Sequence, residues 1–305
     1  MQIKLKTLIP VAFLIMSITL AGCSSSNDSN TTTTKAAAER TTGFSSPDGI
    51  FVGPRGKSNS DGTPLEIGTY GNRKKHKGDL SISKDGTQVT GIDVEGVIYV
   101  NANNVKVSNF TAQRVTQKPG KSGMVLEDGT INGNKKNNDG IQWSNFTVRR
   151  TEITGSFDGI KAQGEVVIED SYIHDLHAFK SPDAGAGGYS HNDCVQVSAG
   201  SNILIERNWF DNCGFNSAVF IDPDQGKISN VTVRHNYLNG GGITLYAIAS
   251  RSADNGIPTN VTISNNVFGD THEFDYATIA QGISFTNNVR TNGELITPRP
   301  DPDNT

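Results

Sequence analysis

From about residue 95 onward one short template recurs eight times, and a chain written this way is committed to stacking similar coils. Most copies open on Asn or Gly, continue with two apolar residues spaced by two and a polar pair, and close on an apolar residue. They are 104–112 (NVKVSNFTA), 123–131 (GMVLEDGTI), 145–153 (NFTVRRTEI), 165–173 (EVVIEDSYI), 202–210 (NILIERNWF), 230–238 (NVTVRHNYL), 260–268 (NVTISNNVF) and 282–290 (GISFTNNVR). Their starts lie 19, 22, 20, 37, 28, 30 and 22 residues apart. A minimum near twenty with a variable excess describes a coil of fixed length whose loops vary. Asn208, Asn236, Asn266 and Asn288 share one template position, as expected of side-chain amides that bridge successive coils at a turn.

A second strand precedes the template in most coils: 96–100 (GVIYV), 139–143 (DGIQW), 158–162 (DGIKA), 193–197 (DCVQV), 218–222 (AVFID) and 242–246 (GITLY). Alternation sends Ile141 and Trp143, Ile160 and Ala162, Val195 and Val197, Val219 and Ile221, and Ile243 and Leu245 inward. The outward column then reads Gln142, Lys161, Gln196, Phe220 and Thr244, with Asp222 and Tyr246 one step further along. The expected fold class is all-β, a parallel solenoid of about eight to ten coils. An antiparallel sandwich would need tight hairpins every 8–12 residues, and Asn-Gly or Asp-Gly turns do not fall at that spacing.

Composition agrees. Gly (33) and Asn (29) make up about a fifth of the 305 residues, and the one long apolar run is at the start, which excludes a helical globule or a multi-span membrane protein. With 27 basic and 31 acidic side chains and a net charge of −4, no basic block marks a nucleic-acid binder. The stretch Arg73-Lys74-Lys75-His76-Lys77 reads as a solvated cap or loop.

The first 23 residues, MQIKLKTLIPVAFLIMSITLAGC, place two lysines ahead of an apolar run that ends in small residues and Cys23. They resemble a bacterial lipoprotein signal with Leu20-Ala21-Gly22-Cys23 as the cleavage box. That resemblance implies lipid attachment at Cys23 and, with Ser24 following, residence in the outer membrane. The expected division is 1–22 signal, 23–46 flexible tether, 47–90 N-terminal cap or first coil, 91–297 parallel β-helix and 298–305 disordered tail. Cys194 and Cys213 remain; an exported context permits a disulfide, while free cysteine is itself often buried, so the pairing stays open.

Loop lengths locate a groove. A long excursion separates Ile173 from Asp193, and further loops swell at 223–230 and 247–260 beside the same strand column. Tyr189, His191, Asp193 and Gln196 fall within eight residues where the excursion re-enters the strand, beside Lys161 one coil earlier. Lys227 and Arg251 sit on the two swollen loops. His174, His177 and His191 form too weak a pattern for zinc, and no metal is expected among the site residues. Asp222 and Asp224 admit Ca²⁺ without requiring it.

The coil period, the opening 51–67 (FVGPRGKSNSDGTPLEI), and the run from DGIKAQGEVVIEDSYIHDL through SHNDCVQVSAGSNILIERNWF to KISNVTVRHNYLNGGGITLY resemble the right-handed parallel β-helix carbohydrate-active proteins. Within these the chain is most similar to small single-domain polysaccharide lyases of the alginate lyase type, over roughly residues 90–290. The Arg-x-Pro-x-x-Arg stretch of pectate lyases and the Asp-Asp and Gly-His-Gly motifs of polygalacturonases are absent. The resemblance implies β-elimination on an acidic, uronate-containing polysaccharide, alginate preferred. Such lyases tend to pair a Tyr with a Lys, and the approximate matches are Tyr189 and Lys227. On this expectation Tyr189 is the acid, or acid and base together, and His191 or Lys227 assists proton removal. Lys161, Gln196 and Arg251 would hold the carboxylate, and Asp193, Asn216, Asp222, Tyr246 and His177 are further sugar contacts. A monomer needing no cofactor is expected. The rival readings are a glycoside hydrolase using Asp193 and Asp222, and a non-catalytic glycan-binding lipoprotein.

Overall fold

The short strands bury every second residue, and each pairs not with its chain neighbour but with its equivalent one coil away. The computed structural model describes residues 42–180, 188–251 and 254–304; the signal-like run and Cys23 lie outside the described residues. The described residues fall within one compact unit. Apart from a 3-10 turn at Pro302–Asn304, the described residues are all-β. Its strands form two parallel sheets, one of sixteen strands and one of ten, which the chain visits alternately. This is the arrangement of a β-solenoid, without a closed barrel.

Between the sheets runs one apolar core, in which Ile141, Ile160, Val195, Val219 and Leu245 form a single buried row in register across five rungs. Apolar residues on both sides of a thin stack leave little room for polar backbone at the bends, and the sequence meets this in two ways. At one bend, Asn208, Asn236, Asn266 and Asn288 are fully buried. Asn236 is typical. Its Nδ2 donates to the carbonyl of Ile205 at 2.9 Å and to Asn266 Oδ1 at 3.0 Å, while its Oδ1 accepts from the backbone and side-chain amides of Asn208 at 2.8 and 3.0 Å. The amide ladder expected from the template is therefore present. Just before each ladder position one residue is left-handed: Arg207, His235, Asn265 and Asn287 have φ of 53°, 54°, 55° and 54°. The Asn that opens the template is left-handed too, at Asn202, Asn230 and Asn260, because Asn tolerates that region better than most side chains.

Cys194 and Cys213 form a disulfide. It ties the strand Asp193–Val197 to the chain that leads into the next strand of the same sheet, Ser217–Ile221.

The N-terminal segment departs from the expected cap. Phe44 stacks on Tyr237 and Trp209, with ring centroids 5.3 and 6.2 Å apart, so the tether expected to run to residue 46 is already packed there. From that point the chain climbs the flank as a strap. Gly53 N–H bonds the His235 carbonyl, Arg55 bonds Asp170, Gly68 N–H bonds the Arg150 carbonyl, and Tyr70 N–H bonds Asn109 Oδ1. Buried Asp170 is held below the usual carboxylate range, since its hydrogen bonds from Arg207 and Arg55 outweigh the opposing effect of burial. At the other end, the described part of the expected 298–305 tail is not loose: Arg299–Pro300 pairs with the strand Asp275–Ile279, and buried Asp301 accepts from the Ala249 N–H at 2.9 Å.

Removing one rung of the ladder leaves several buried backbone and side-chain groups unpaired. Asn236→Ala is expected to cost about 2–4 kcal/mol. In a chain of this size that lowers the melting temperature by roughly 5–15 °C, measurable by calorimetry.

Candidate active site

The outward column of the ten-stranded sheet reads Thr116, Gln142, Lys161, Gln196, Phe220, Tyr246 and Thr278, each hydrogen-bonded rung by rung. Tyr246, not Thr244, continues the column beyond Phe220: the pairing is two residues further along than expected, which buries Thr244 completely. Trp143, expected inward, is only half-buried, because a φ of 90° turns the backbone there toward the next strand. Phe220 and Tyr246 meet edge to face, with centroids 5.4 Å apart.

Beneath this column, where the strands begin, three aspartates occupy one position on successive rungs. Asp158 stands opposite Asp193 and Asp139 opposite Asp158, two residues before the paired Ile160, Val195 and Ile141. Each starts an Asp-Gly-Ile or Asp-Cys-Val triplet. The middle glycines are demanded by the stacking: a Cβ on Gly159 would lie 2.5 Å from the Cys194 carbonyl oxygen. Asp158 and Asp193 are only 1 and 2 % exposed. Rungs lie about 4.8 Å apart, so three carboxylates in one column repel one another.

Asp158 accepts the Asp193 N–H at 2.9 Å, and its carboxylate lies 3.4 Å from the Lys161 ammonium. Burial, reinforced by the charges of Asp193 and Asp139, nevertheless lifts its pKa well above the usual range. Asp193 accepts from Asn216 Nδ2 at 2.8 Å and from the Ser217 hydroxyl. These bonds and Lys161 favour its charged form, yet burial prevails and pushes it up to about 7. Asp139 accepts from Gln142, which in turn accepts from Arg114.

A second carboxylate group marks the far ends of the strands. Asp222 is pushed up to about 6 by burial and by the charge of Asp224, against the pull of Arg251. Burial also raises Asp224, with Lys161 opposing. Each has an Oδ1 atom that is buried without a hydrogen-bond partner. Asp222 and Asp224 would give a calcium ion part of the six to eight oxygens it takes, carbonyls and water supplying the rest. Among the described residues no group of three or more His, Cys, Asp or Glu gathers as a metal set.

The expected residues divide accordingly. Lys161, Asp193, Gln196, Asn216, Asp222 and Tyr246 belong to one face. Gln196 and Tyr246 are half-buried, with no side-chain hydrogen bond among the described residues, and the Tyr246 phenol is raised by burial and by Asp193. Arg251 stands beside this face but pairs with Asp303 at 3.2 Å. His191 is exposed at the entry to the strand Asp193–Val197. Tyr189 stacks on Phe215, with centroids 4.3 Å apart. Lys227 is exposed, its carbonyl accepting the Gly200 N–H beside the long sheet. Tyr189 therefore precedes the strands and Lys227 follows them. A five-residue strand at about 3.3 Å per residue intervenes, so the structure does not bring this pair together. His177 is tied through its backbone, its N–H bonding the Ser156 carbonyl and its carbonyl accepting from Asn192, and its ring centroid lies 6.3 Å from that of Phe179. His174 is engaged by Glu152 and Asp175.

Asp139 and Asp158 were not among the sequence candidates. Their signal was present: three strands in succession begin with Asp, and in a parallel stack a shared position becomes a shared site.

The chain matches no known protein family, no curated protein and no solved structure. What the arrangement itself offers is a polar, aromatic-bearing face with protonatable carboxylates at both ends and one lysine between them.

Because Asp193 binds its proton more tightly when folded than the usual carboxylate value near 4, its contribution is fully present below about pH 4. It is lost as pH rises through about 7. The melting temperature is expected to fall over that interval, and Asp193→Asn to flatten the fall, as read by thermal denaturation across pH.

Proposed function

We propose that this protein is a right-handed parallel β-helix of about eight to ten coils, exported and lipid-anchored through Cys23, that cleaves a polysaccharide in the outward groove of its ten-stranded sheet. The handedness follows the strong preference of parallel crossovers. The anchor and outer-membrane placement rest on the signal-like N-terminus. A monomer is proposed with it.

The observation that carries the cleavage reading is the flanking of Lys161, Gln196 and Tyr246 by carboxylates whose protons are retained toward neutral pH, Asp193 to about 7 and Asp222 to about 6. Breaking a glycosidic bond requires an acid that protonates the departing oxygen, and a carboxylic acid held protonated near the working pH does this well. Asp222 is the donor proposed, because its proton is held to about 6 and its carboxyl makes no hydrogen bond among the described residues. Asp193 already accepts from Asn216 and Ser217 on its Oδ1, and Asp158 holds Lys161. Asp224, on the same turn as Asp222, helps to hold the Asp222 proton through its charge, and Asp193 at the opposite edge is the candidate base for an attacking water. These parts favour hydrolysis.

β-Elimination on a uronate polymer such as alginate is the second reading. It is favoured by Lys161 and Gln196 side by side in the outward column, where they would neutralise a substrate carboxylate, with the Tyr246 phenol kept protonated as an acid. Its difficulty is the base: a phenol with a raised pKa does not remove a proton, and Tyr189 and Lys227 lie at opposite ends of the strands.

The test is product analysis with the purified protein against acidic and neutral polysaccharides. New reducing ends without ultraviolet absorbance are expected; unsaturated, absorbing products would select elimination, and saturable binding without products would select a glycan-binding protein. Asp222→Asn is expected to lower kcat by about 10²–10⁴-fold. The wild-type rate should fall as pH rises through about 6, where Asp222 loses its proton.

A further inference from the structure

A cavity of about 380 Å³ lies beside that groove, at the turns that lead from the long sheet into the strands Ser217–Ile221, Ile243–Ala247 and Asp275–Ile279. Its volume falls within the roughly 300–1,000 Å³ typical of small-ligand sites. The floor is bare backbone, Gly214 with Gly240, Gly241 and Gly242. Three of these have positive φ, and a Cβ on Gly241 would lie 2.6 Å from the Asn216 carbonyl oxygen, so side chains are excluded by the fold itself.

Two aromatic rings stand at this floor in positions that folding does not explain. Phe215 lines the cavity and is 45 % exposed; Phe274 is 66 % exposed, with its ring 3.4 Å from where a Gly242 Cβ would be. Tyr189 stacks on Phe215 and fixes that ring. The polar lining is acidic. Glu273 is exposed and makes no side-chain hydrogen bond or ion pair among the described residues, while Asp211 holds Asn239 at 2.8 Å. Among the described residues no lysine or arginine lines the cavity. His272, also in the lining, has an Nδ1 that is buried without a hydrogen-bond partner.

We propose that this cavity binds an uncharged pyranose. Such a ring has an apolar C–H face for Phe215 and Phe274 and hydroxyl donors for Glu273 and Asp211. A uronate would bring a carboxylate against Asp211 and Glu273, with no lysine or arginine among the described lining residues to meet it. The cavity also adjoins the groove through Asn216, whose carbonyl borders Gly241 and whose side chain bonds Asp193. A glycan crossing both would have an uncharged residue beside the residue that is cleaved. Binding stands on the cavity alone; its part in substrate recognition rests on the cleavage reading.

The test is titration of the isotope-labelled protein with glucose, galactose, mannose, N-acetylglucosamine and glucuronate, followed through the amide resonances of Gly240, Gly241 and Gly242. At least one uncharged sugar is expected to shift them saturably, and glucuronate to do so more weakly or not at all. Phe274→Ala is expected to weaken the binding about fivefold or more, with an unchanged melting temperature because the ring is exposed. Absence of any shift with the uncharged sugars, tighter binding of glucuronate, or binding unaffected by Phe274→Ala would each overturn the proposal. Turnover is not read in this experiment, so failure of the cleavage reading leaves its result intact.

Discussion

The structure depends on keeping the bends of a parallel stack fully hydrogen-bonded while they are buried. A strand that pairs only with the coils above and below satisfies its own backbone, but the turn between two strands does not. Asn208, Asn236, Asn266 and Asn288 solve this by repeating one side chain in one place, each amide serving the rung on either side. Left-handed residues next to the ladder set the turn. With bends of one geometry, apolar residues fall into registered rows, and loops of different length can be inserted between them without disturbing the stack.

The same repetition creates the electrostatics of the candidate site. In a parallel stack any residue type repeated at one template position becomes a column about 4.8 Å apart. For asparagine this is stabilising, since an amide both donates and accepts. For aspartate it is not. Asp139, Asp158 and Asp193 are forced together at the buried foot of three strands; Asp158 and Asp193 answer by retaining protons, and Asp158 draws in Lys161. A stack built for stability thus accumulates acid along one edge of the groove, and Asp222 and Asp224 add a second group at the other edge.

Much of the fold was legible because its signal was periodic. The template gave both strand sets, the amide ladder and all but one step of the outward column. The misplacement of Thr244 came from a loop length: alternation sets which face a residue takes, but not which of two same-face residues meets the neighbouring rung. The strap at 42–70 was invisible for a related reason. It has no period and lacks regular strands, and it is held by isolated bonds such as Arg55 to Asp170. At the site, residues adjacent in sequence were grouped correctly, as with Asp193 and Gln196. The pairing of Tyr189 with Lys227 came from the family likeness, and the strand length between them keeps it from forming. Asp139 and Asp158 were overlooked because alternation assigns them to the interior, where the bend before the strand instead lets Asp158 reach Lys161 and Asp139 accept from Gln142.

The central claim is that the carboxylates of this groove hold protons at near-neutral pH. Carbon-13 NMR titration of the aspartate side-chain carboxyls measures it directly, with Asp193→Asn and Asp222→Asn providing the assignments. The account predicts one resonance with a midpoint near 7, lost in Asp193→Asn, and another near 6, lost in Asp222→Asn. If every aspartate titrated in the ordinary range around pH 4, the groove would hold only spectator carboxylates and the account would be contradicted.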